Sequence, residues 1–486
     1  MNNWLITDKR KINIEEIPVL AVADLRLAII YAKKRPIAFF GQKIDDKTKL
    51  YVVLADDTNG QFYFSSTIFE KDVNSYESIT TVIPAFHNFE REFYEEFGIE
   101  PKNHPWLKPL RKNQDSYEFF KMTGEEVHEV AVGPIHAGVI EPGHFRFMCN
   151  GEDVYHLEIM LGYQHKGVEK LMVKSPSNQL AESICGDSVI AYNTAYSEVI
   201  EQLSNCEISN KSKLVRMLAL EMERIAIHIG DLGAISGDIA YLMGASIFGA
   251  TRTLIINTML ELCGSRFGRG LINVGGINFD MSDEFISTAK QTFAKVEKDV
   301  RQMVKTMLKN SSVMSRLEKT GVVSKEVAEE IGLVGMAARS CGVELDSRYD
   351  YKTELFNKIL VEKKQYKYVG DVFSRFMLRY NEIKHSFKLI NNIFKEYEKF
   401  KTEENISKRE QQFDKNTLSL SIVEGWRGEV THIALTDENG NLDRYKIKDP
   451  SFNNWYGLAL AVRNNGISDF PLCNKSFNLS YTGNDL

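Results

Sequence analysis

Residues 218–252 read LALEMERIAIHIGDLGAISGDIAYLMGASIFGATR, and this stretch indicates a core that is built from helices. Over 213–229, apolar residues recur three and four positions apart, which is the spacing of one face of an amphipathic helix. Glu221, Arg224 and His228 lie at i, i+3 and i+7, so they share one face of that helix. The stretch therefore predicts a helix that carries a row of ionisable side chains.

Ionisable side chains also interrupt the apolar part of the same stretch, at Asp231, Asp238 and Arg252. Because an isolated buried charge costs several kcal/mol, we expect these groups to face one another or a cavity. A network of ion pairs with a purely structural role is the alternative, and the sequence leaves both interpretations open.

The composition excludes several classes of protein. The most apolar segment, 239–250, has 12 residues and is too short to span a bilayer. The first residues, MNNWLITDKRKINIEEIP, lack the apolar centre of a signal peptide. Lys and Arg total 60 against 66 Asp and Glu, and this charge of −6 offers no footprint for nucleic acid. We therefore expect a globular chain of 486 residues that contacts a membrane only through a partner.

Outside the opening stretch, the patterns predict an α+β protein. After about residue 175 the chain is mainly helical, and 283–308 has the pattern of a helix whose N-terminus is capped by Ser282. Short alternating runs over 126–169 predict a β-hairpin sheet. The turn at 439–441 lies between two predicted C-terminal strands.

The N-terminal part is predicted as a small α/β domain. Residues 20–33 indicate a helix, ITTVIPAF at 79–86 indicates a strand, and HNFEREFYEEFGI indicates a helix that ends at Gly98. The stretch EPKNHPWLKPLRKNQDS follows and has the composition of a linker, which we extend to about residue 125. We therefore predict two domains, 1–122 and 123–486.

The segment GPIHAGVIEPGHFRF, residues 133–147, places three protonatable side chains in one glycine- and proline-rich hairpin. They are His136, Glu141 and His144. A buried pair of histidine and glutamate can relay protons near neutral pH. The alternative is a hairpin tip that exposes polar groups to solvent.

The cysteine pattern bears on metal binding. None of the six cysteines belongs to a CxxC pair, which argues against a zinc site or an iron–sulfur cluster held wholly by this chain. In LAESICGDSVIAYNTAY, residues 180–196, Cys185, Asp187 and Ser188 precede a helix that carries Tyr192. A lone cysteine is more often a small buried apolar residue than a ligand or nucleophile.

Several blocks along nearly the whole chain are recognisable. They read GPIHAGVIEPGHFRF, LGYQHKGVEKLM, LEMERIAIHIGDLG, SRFGRGLINVGGI, ARSCGVELDSRYDY, GDVFSRFMLR and EGWRGE. Together they resemble the D subunit of NADH:quinone oxidoreductase, which shares a superfamily with the large subunit of NiFe hydrogenases. Upstream, FEREFYEEFGIEPKNHPWLKPLR resembles the C subunit. The chain is thus similar to a C–D fusion, as in energy-converting hydrogenases such as hydrogenase-4 and formate hydrogenlyase.

The resemblance also implies where a metal centre would lie. Hydrogenases of this superfamily hold nickel and iron with four thiolates in two CxxC motifs. The matching positions here are Cys185, Ser188, Ser480 and Gly483, so one thiolate of four is retained. The resemblance therefore implies that this chain binds no metal, and a quinone becomes the candidate cofactor.

The same resemblance implies roles for single residues. His136 matches a histidine of the quinone site, Glu141 a proton-relay glutamate of hydrogenases, and Asp238 an aspartate linked to that histidine. Together with Cys185 and Asp187, these three form the predicted catalytic set. The predicted cofactor-binding set is His136, His144, Tyr192, His228 and Arg252. The D-subunit tyrosine that contacts the quinone has no clear counterpart, since the Cys185 turn takes its place.

Finally, the resemblance implies partners and a location. The chain would pack on a small iron–sulfur subunit that carries a 4Fe–4S cluster, and above membrane-arm subunits that are H-like and antiporter-like. It would lie on the cytoplasmic side of the inner membrane as a peripheral protein, coupling electron transfer to ion translocation. A true hydrogenase with altered ligation and a catalytically silent scaffold are the alternatives.

Overall fold

The computed structural model describes residues 3–111, 117–136, 140–362, 366–407 and 412–486, and it has the predicted α+β architecture. The strands in chain order are β1 Leu5–Thr7, β2 Lys11–Asn13, β3 Val19–Leu20, β4 Arg35–Ile44, β5 Lys47–Asp56, β6 Gln61–Phe69, β7 Ser75–Glu77, β8 Glu100–Lys102, β9 Val127–Val132, β10 His144–Asn150, β11 Asp153–Met160, β12 Ile272–Asn273, β13 Gly276–Ile277, β14 Thr417–Glu424, β15 Glu429–Thr436 and β16 Leu442–Lys448.

The helices begin and end as follows: α1 Val22–Ala32, α2 His87–Phe97, α3 Val168–Lys174, α4 Asn178–Glu182, α5 Val189–Leu203, α6 Asn210–Asp238, α7 Leu242–Cys263, α8 Asp283–Met307, α9 Ser311–Leu317, α10 Lys325–Glu330, α11 Gly335–Arg339, α12 Ser347–Asp350, α13 Glu354–Ile359, α14 Val372–Tyr397, α15 Pro450–Ala461, α16 Phe470–Phe477 and α17 Tyr481–Asn484. Among the described residues, none of these helices has both the length and the apolar character that crossing a bilayer requires.

The N-terminal sheet has the order β1-β6-β5-β4, with the short β3 parallel to β6. Helices α1 and α2 confirm the two helices that the sequence predicts in this unit. Helix α2 ends at Gly98, which adopts the left-handed conformation with φ 74° and therefore suits glycine.

The predicted strand at 79–86 is wrong. This segment forms turns and then a 3₁₀ helix over Pro84–Phe86, because it wraps around the buried carboxylate of Glu90. That carboxylate accepts hydrogen bonds from the Ser78 hydroxyl at 2.6 Å, from the Ile79 N–H at 2.8 Å and from the Thr80 N–H at 3.0 Å. Satisfying a buried charge outweighs the β propensity of the local residues.

The hairpin sheet and the helical core confirm their predictions. Strands β9, β10 and β11 form an antiparallel sheet in the order β11-β10-β9, and the hairpin tip at 137–139 lies outside the described residues. Helices α6, α7, α8 and α14 pack around one apolar core. The Ser282 hydroxyl caps α8 by accepting the Phe285 N–H at 3.0 Å.

The C-terminal sheet joins the two ends of the chain. Its order is β16-β15-β14-β2, so residues 11–13 pair with 417–419. Ile12, Phe40 and Leu420 contribute to one shared apolar cluster. The division at residue 122 stays a prediction, and this strand pairing ties the N-terminal unit to the end of the chain.

Candidate active site at the Cys185 turn

The Cys185 turn, residues 185–188, connects α4 to α5. Cys185 is buried, whereas the side chain of Asp187 is 38% exposed. Both oxygens of Asp187 accept hydrogen bonds from Arg427, at 2.6 and 2.7 Å. Burial alone would raise the pKa of Asp187, but the charge and hydrogen bonds of Arg427 outweigh it and lower that pKa. Asp187 is thus held as a carboxylate near the protein surface.

Arg427 is the central cation of this site, and it comes from the loop between β14 and β15. Its guanidinium lies 3.9 Å from the ring centre of Trp426, and its Nε donates to the carbonyl oxygen of Asn478 at 2.6 Å. Its Nη1 lies 3.6 Å from Cys185 Sγ. In the sequence, EGWRGE contributes only a block of the resemblance, and Arg427 is not among the predicted site residues. The sequence signal that could have identified Arg427 is an arginine flanked by glycines, because glycines allow the backbone to approach a neighbouring group closely.

The four positions that the resemblance matches to hydrogenase thiolates meet at this site. Cys185 Sγ lies 3.4 Å from Ser480 Oγ, and Ser188 Oγ lies 3.5 Å from Arg427 Nη1. The hydroxyl of Ser480 accepts the Gly483 N–H at 2.9 Å. The chain therefore brings together one thiol and two hydroxyls at these positions.

These residues do not fit a nickel–iron centre. Burial raises the pKa of the Cys185 thiol, so it is protonated at neutral pH, and the cationic Arg427 already contacts its sulfur. A side chain at Gly483 would come within 2.5 Å of the Asp449 carboxyl carbon, so a thiolate has no room there. Within the described part of the chain, no group of three or more His, Cys, Asp or Glu side chains is arranged to hold a metal ion.

A cavity of about 460 Å³ lies beside the hairpin sheet, and two of the predicted catalytic residues, His136 and Asp238, line it. Its lining also includes Val132, Ile140, Phe147, Phe470, Lys475, Leu479 and Tyr481. Nε2 of His136 lies 2.7 Å from the carbonyl oxygen of Gly143, which holds the ring. Partial burial raises the pKa of Asp238, and the charge of Lys475 opposes that shift.

Glu141 connects this cavity to the Cys185 turn. The backbone of Tyr481, which lines the cavity, and that of Thr482 lie close enough to its carboxylate to lower its pKa. Burial raises the pKa of Glu141 and the nearby Asp187 raises it further, whereas Arg427 lowers it. A carboxyl group with a raised pKa between two polar sites is suited to proton transfer.

None of the predicted residues Tyr192, His144 and Arg252 lines this cavity. Tyr192 is buried and donates its hydroxyl to Asp449 at 2.5 Å, and the ring of His144 packs on Phe119 with centroids 4.9 Å apart. Arg252 packs over Gly230 on helix α6. Their predicted role in binding a cofactor stays a prediction.

His228 belongs to a separate buried cluster, which we call the Glu382 network. Its members are Glu221, Arg224, His228, Arg339, Arg348, Glu382 and Glu424. Each charged member has an oppositely charged neighbour within 3.8 Å. The row of ionisable groups on helix α6 therefore faces other charges inside the protein, and the role of His228 in binding a cofactor stays a prediction.

Comparison with known proteins shows which family the chain belongs to. The family model of the respiratory-chain NADH dehydrogenase 49 kDa subunit matches residues 238–485, which is about half of the chain. The chain belongs to the 49 kDa subunit family. The model of the 30 kDa subunit matches residues 36–120, so this 49 kDa family member also carries a 30 kDa-like N-terminal unit, and the predicted C–D fusion is confirmed.

The relatives of this 49 kDa family member belong to oxidoreductase complexes. Formate hydrogenlyase subunit 5 of Escherichia coli is 26% identical over 91% of this chain and 83% of its own length. The C/D subunit of NADH-quinone oxidoreductase from Bdellovibrio bacteriovorus is 24% identical over 83% of this chain and 82% of its own length. A chain in the structure of the membrane-bound sulfane sulfur reductase, an archaeal respiratory membrane complex, has the same fold, with a TM-score of 0.68 at 20% identity over 75% of this chain and 100% of that chain.

Proposed function

We propose that this chain is the large subunit in the peripheral arm of a membrane-associated oxidoreductase complex. It takes electrons from a small iron–sulfur partner, reduces a quinone-type acceptor and couples that step to ion translocation by membrane-arm subunits. Family membership and the names of the relatives support this assembly, since those relatives include a C/D subunit and a membrane-bound hydrogenase subunit.

The observation that carries the proposal is the connection between the Cys185 turn and the cavity through Glu141. The cavity offers apolar walls for a ring, and His136 and Asp238 for its polar groups. Reduction of a quinone takes up two protons with two electrons, and burial raises the pKa of Glu141, which is the direction that favours a proton donor. Arg427 stabilises the negative charge that develops at the Cys185 turn during the reaction.

Two exposed surfaces suit the proposed partners. The Cys185 turn is open to solvent at Gly186, which leaves room for the iron–sulfur partner to approach. At the start of α7, a few residues beyond Asp238, the side chains of Leu242, Met243 and Ile247 are exposed. An apolar surface next to the cavity is suited to a membrane-arm subunit.

The test uses the complex purified through a tag on this chain. Reduced methyl viologen supplies electrons, and decylubiquinone, polysulfide or protons serve as acceptors in parallel assays. We expect decylubiquinone reduction, which His136→Ala lowers roughly 100-fold because the cavity loses a proton-bearing group. His128→Ala is the matched control, since His128 is an exposed histidine on β9 of the same sheet.

Three results would overturn the proposal. Hydrogen evolution together with stoichiometric nickel would identify a hydrogenase with altered ligation. Electron transfer and ion pumping that persist unchanged in His136→Ala, Glu141→Gln and Asp238→Asn would identify a scaffold. Reduction of polysulfide alone would show that the acceptor is a sulfur compound and not a quinone. Such an acceptor would react at the Cys185 thiol, whose Sγ lies 3.6 Å from the Arg427 guanidinium.

A further inference from the structure

Glu223 is a buried carboxyl group that has no part in the reaction proposed above. It lies on helix α6 and is 8% exposed. Its Oε2 accepts the N–H of Ile190, in the first turn of α5, at 2.8 Å. Its Oε1 has no hydrogen-bond partner within the described structure. A buried polar atom without a partner is rare in proteins and indicates a water, an ion or a function.

That carboxyl group borders a small cavity that also reaches the Cys185 turn. The cavity has a volume of about 20 Å³, which is enough for one water molecule. Its inner walls are apolar and come from α6 and α7: Met222, Ala226, Ile227, Ile255, Ile256 and Met259. Asp187 and Glu223 supply acidic groups, and Gly186, Arg266 and Phe267 lie at the exposed edge.

The surroundings keep Glu223 protonated near neutral pH. Burial raises its pKa to about 8, and the negative charge of Asp187 acts in the same direction. The N–H groups of Ile190 and Ala191 and the charge of Arg224 oppose this shift without cancelling it. Helix α7 contributes only apolar side chains to this cavity, and Arg266 is the remaining charged group at its edge.

We propose that Glu223 is a proton-relay residue that connects solvent at the Gly186–Phe267 edge with the Cys185 turn through a water in this cavity. The inference rests on the proposed function, in which the reaction at this site consumes protons. Glu223 gives its carboxyl proton to the water, and the water passes a proton on to the Cys185 turn, where the proposed reaction consumes it. The resulting carboxylate then takes a proton from solvent, so one O–H bond breaks for each that forms and no electron moves in the relay.

The competing role is structural, with Glu223 serving only as a hydrogen-bond acceptor for the first turn of α5. The two roles differ in how fast the carboxyl proton exchanges with solvent. A relay exchanges at once, whereas a sealed carboxyl exchanges only when the protein opens locally, over minutes to hours.

Infrared spectroscopy of the full chain measures this exchange without any electron donor. We expect a carbonyl band of a protonated carboxyl group that Glu223→Gln removes, that titrates near pH 8, and that shifts immediately on transfer into D₂O. Ala226→Leu fills the cavity and should abolish the fast shift while the band remains. Ala219→Leu is the matched control, because Ala219 is buried on the same helix but does not line this cavity.

A band that shifts only over minutes to hours in the unaltered chain overturns the relay, even if Ala226→Leu fails to fold. In the assembled complex, Glu223→Gln should lower the rate of viologen-driven decylubiquinone reduction roughly 100-fold with KM unchanged, and Glu223→Asp should restore part of it. An unaltered rate in Glu223→Gln also overturns the relay but leaves the proposed function intact. A complex that transfers no electrons at all contradicts the proposed function, and the exchange measurement then still reports on Glu223.

Discussion

The Asp187–Arg427 pair and the Glu382 network are built from the same kinds of side chain but differ in exposure and in what surrounds them. The side chain of Asp187 is 38% exposed, and a protonated thiol and a raised-pKa glutamate lie beside the pair. Glu382 is about 10% exposed and lies between Arg224, Arg339 and His228. The buried charges of the Glu382 network thus satisfy one another and hold helices together. The Asp187–Arg427 pair lies at a solvent-exposed edge and is therefore available for a reaction.

The largest effect is expected from breaking the closed network. Glu382→Ala leaves Arg224 and Arg339 with fewer anionic partners in a buried environment, and should lower the free energy of unfolding by about 3–5 kcal/mol. Urea unfolding followed by circular dichroism measures this value. A loss below about 1 kcal/mol would contradict the assignment of the network to stability.

A smaller loss is expected at the open site. Arg427→Ala removes the bidentate pair with Asp187, but water can reach Asp187, so we expect a loss of about 1–3 kcal/mol in the same unfolding measurement. The same variant should lower electron transfer in the complex far more than Glu382→Gln does. If Arg427→Ala and Glu382→Gln had equal effects on both stability and electron transfer, the two clusters would not differ in function.

The two clusters should also differ in how their contribution to stability depends on pH. Burial lowers the pKa of His228, so the folded chain binds this proton only at lower pH than the unfolded chain, whose histidine has a pKa of about 6.5. Stability is therefore fully present above about pH 6.5 and decreases as the pH falls below it, by at most about 1.4 kcal/mol per pH unit for this one proton. Melting temperatures of His228→Gln measured from pH 7 to pH 5 should show a shallower decrease.

Asp187→Asn is the counterpart in that experiment. The pKa of Asp187 is lowered, so its contribution to stability is present above the unfolded pKa of about 4 and is lost only as the pH falls through its lower folded value. Because the Asp187 charge also raises the pKa of Glu141 and of Glu223, the comparison is made in a chain that carries Glu141→Gln and Glu223→Gln. In that chain, Asp187→Asn should keep the parent slope between pH 7 and pH 5. A changed slope in that range would show that Asp187 is not held as a carboxylate by Arg427.

The smallest effect is expected where an ion pair is fully at the surface. Lys325 and Glu329 lie 3.7 Å apart at i, i+4 on α10, and both side chains are more than half exposed. Glu329→Ala should change the free energy of unfolding by at most about 0.5 kcal/mol, because water and salt screen the pair. This variant is also the control for the Glu382→Ala measurement, since both remove one glutamate.

Local patterns predicted much of the fold. The helices over 213–229 and 283–308, the Ser282 cap and the hairpin sheet were all predicted, because side-chain periodicity and capping depend on residues a few positions apart. The strand predicted at 79–86 was wrong because its conformation depends on the buried carboxylate of Glu90, a tertiary feature. The pairing of β2 with β14 joins residues about 400 positions apart, and no local signal predicts it.

For the site, the sequence by itself determined the chemical inventory: a single cysteine at the turn, a hairpin with His136 and Glu141, and an aspartate at position 238. Only the tertiary structure decided which of these act together. It placed Arg427 against Cys185 and Asp187 from 240 residues away, closed His228 into the Glu382 network, and left Glu223 beside a cavity at the same turn. The physical reason is that the sequence specifies the type of every side chain but not its neighbours. Charge pairing, burial and the resulting pKa shifts arise only between segments that folding brings into contact.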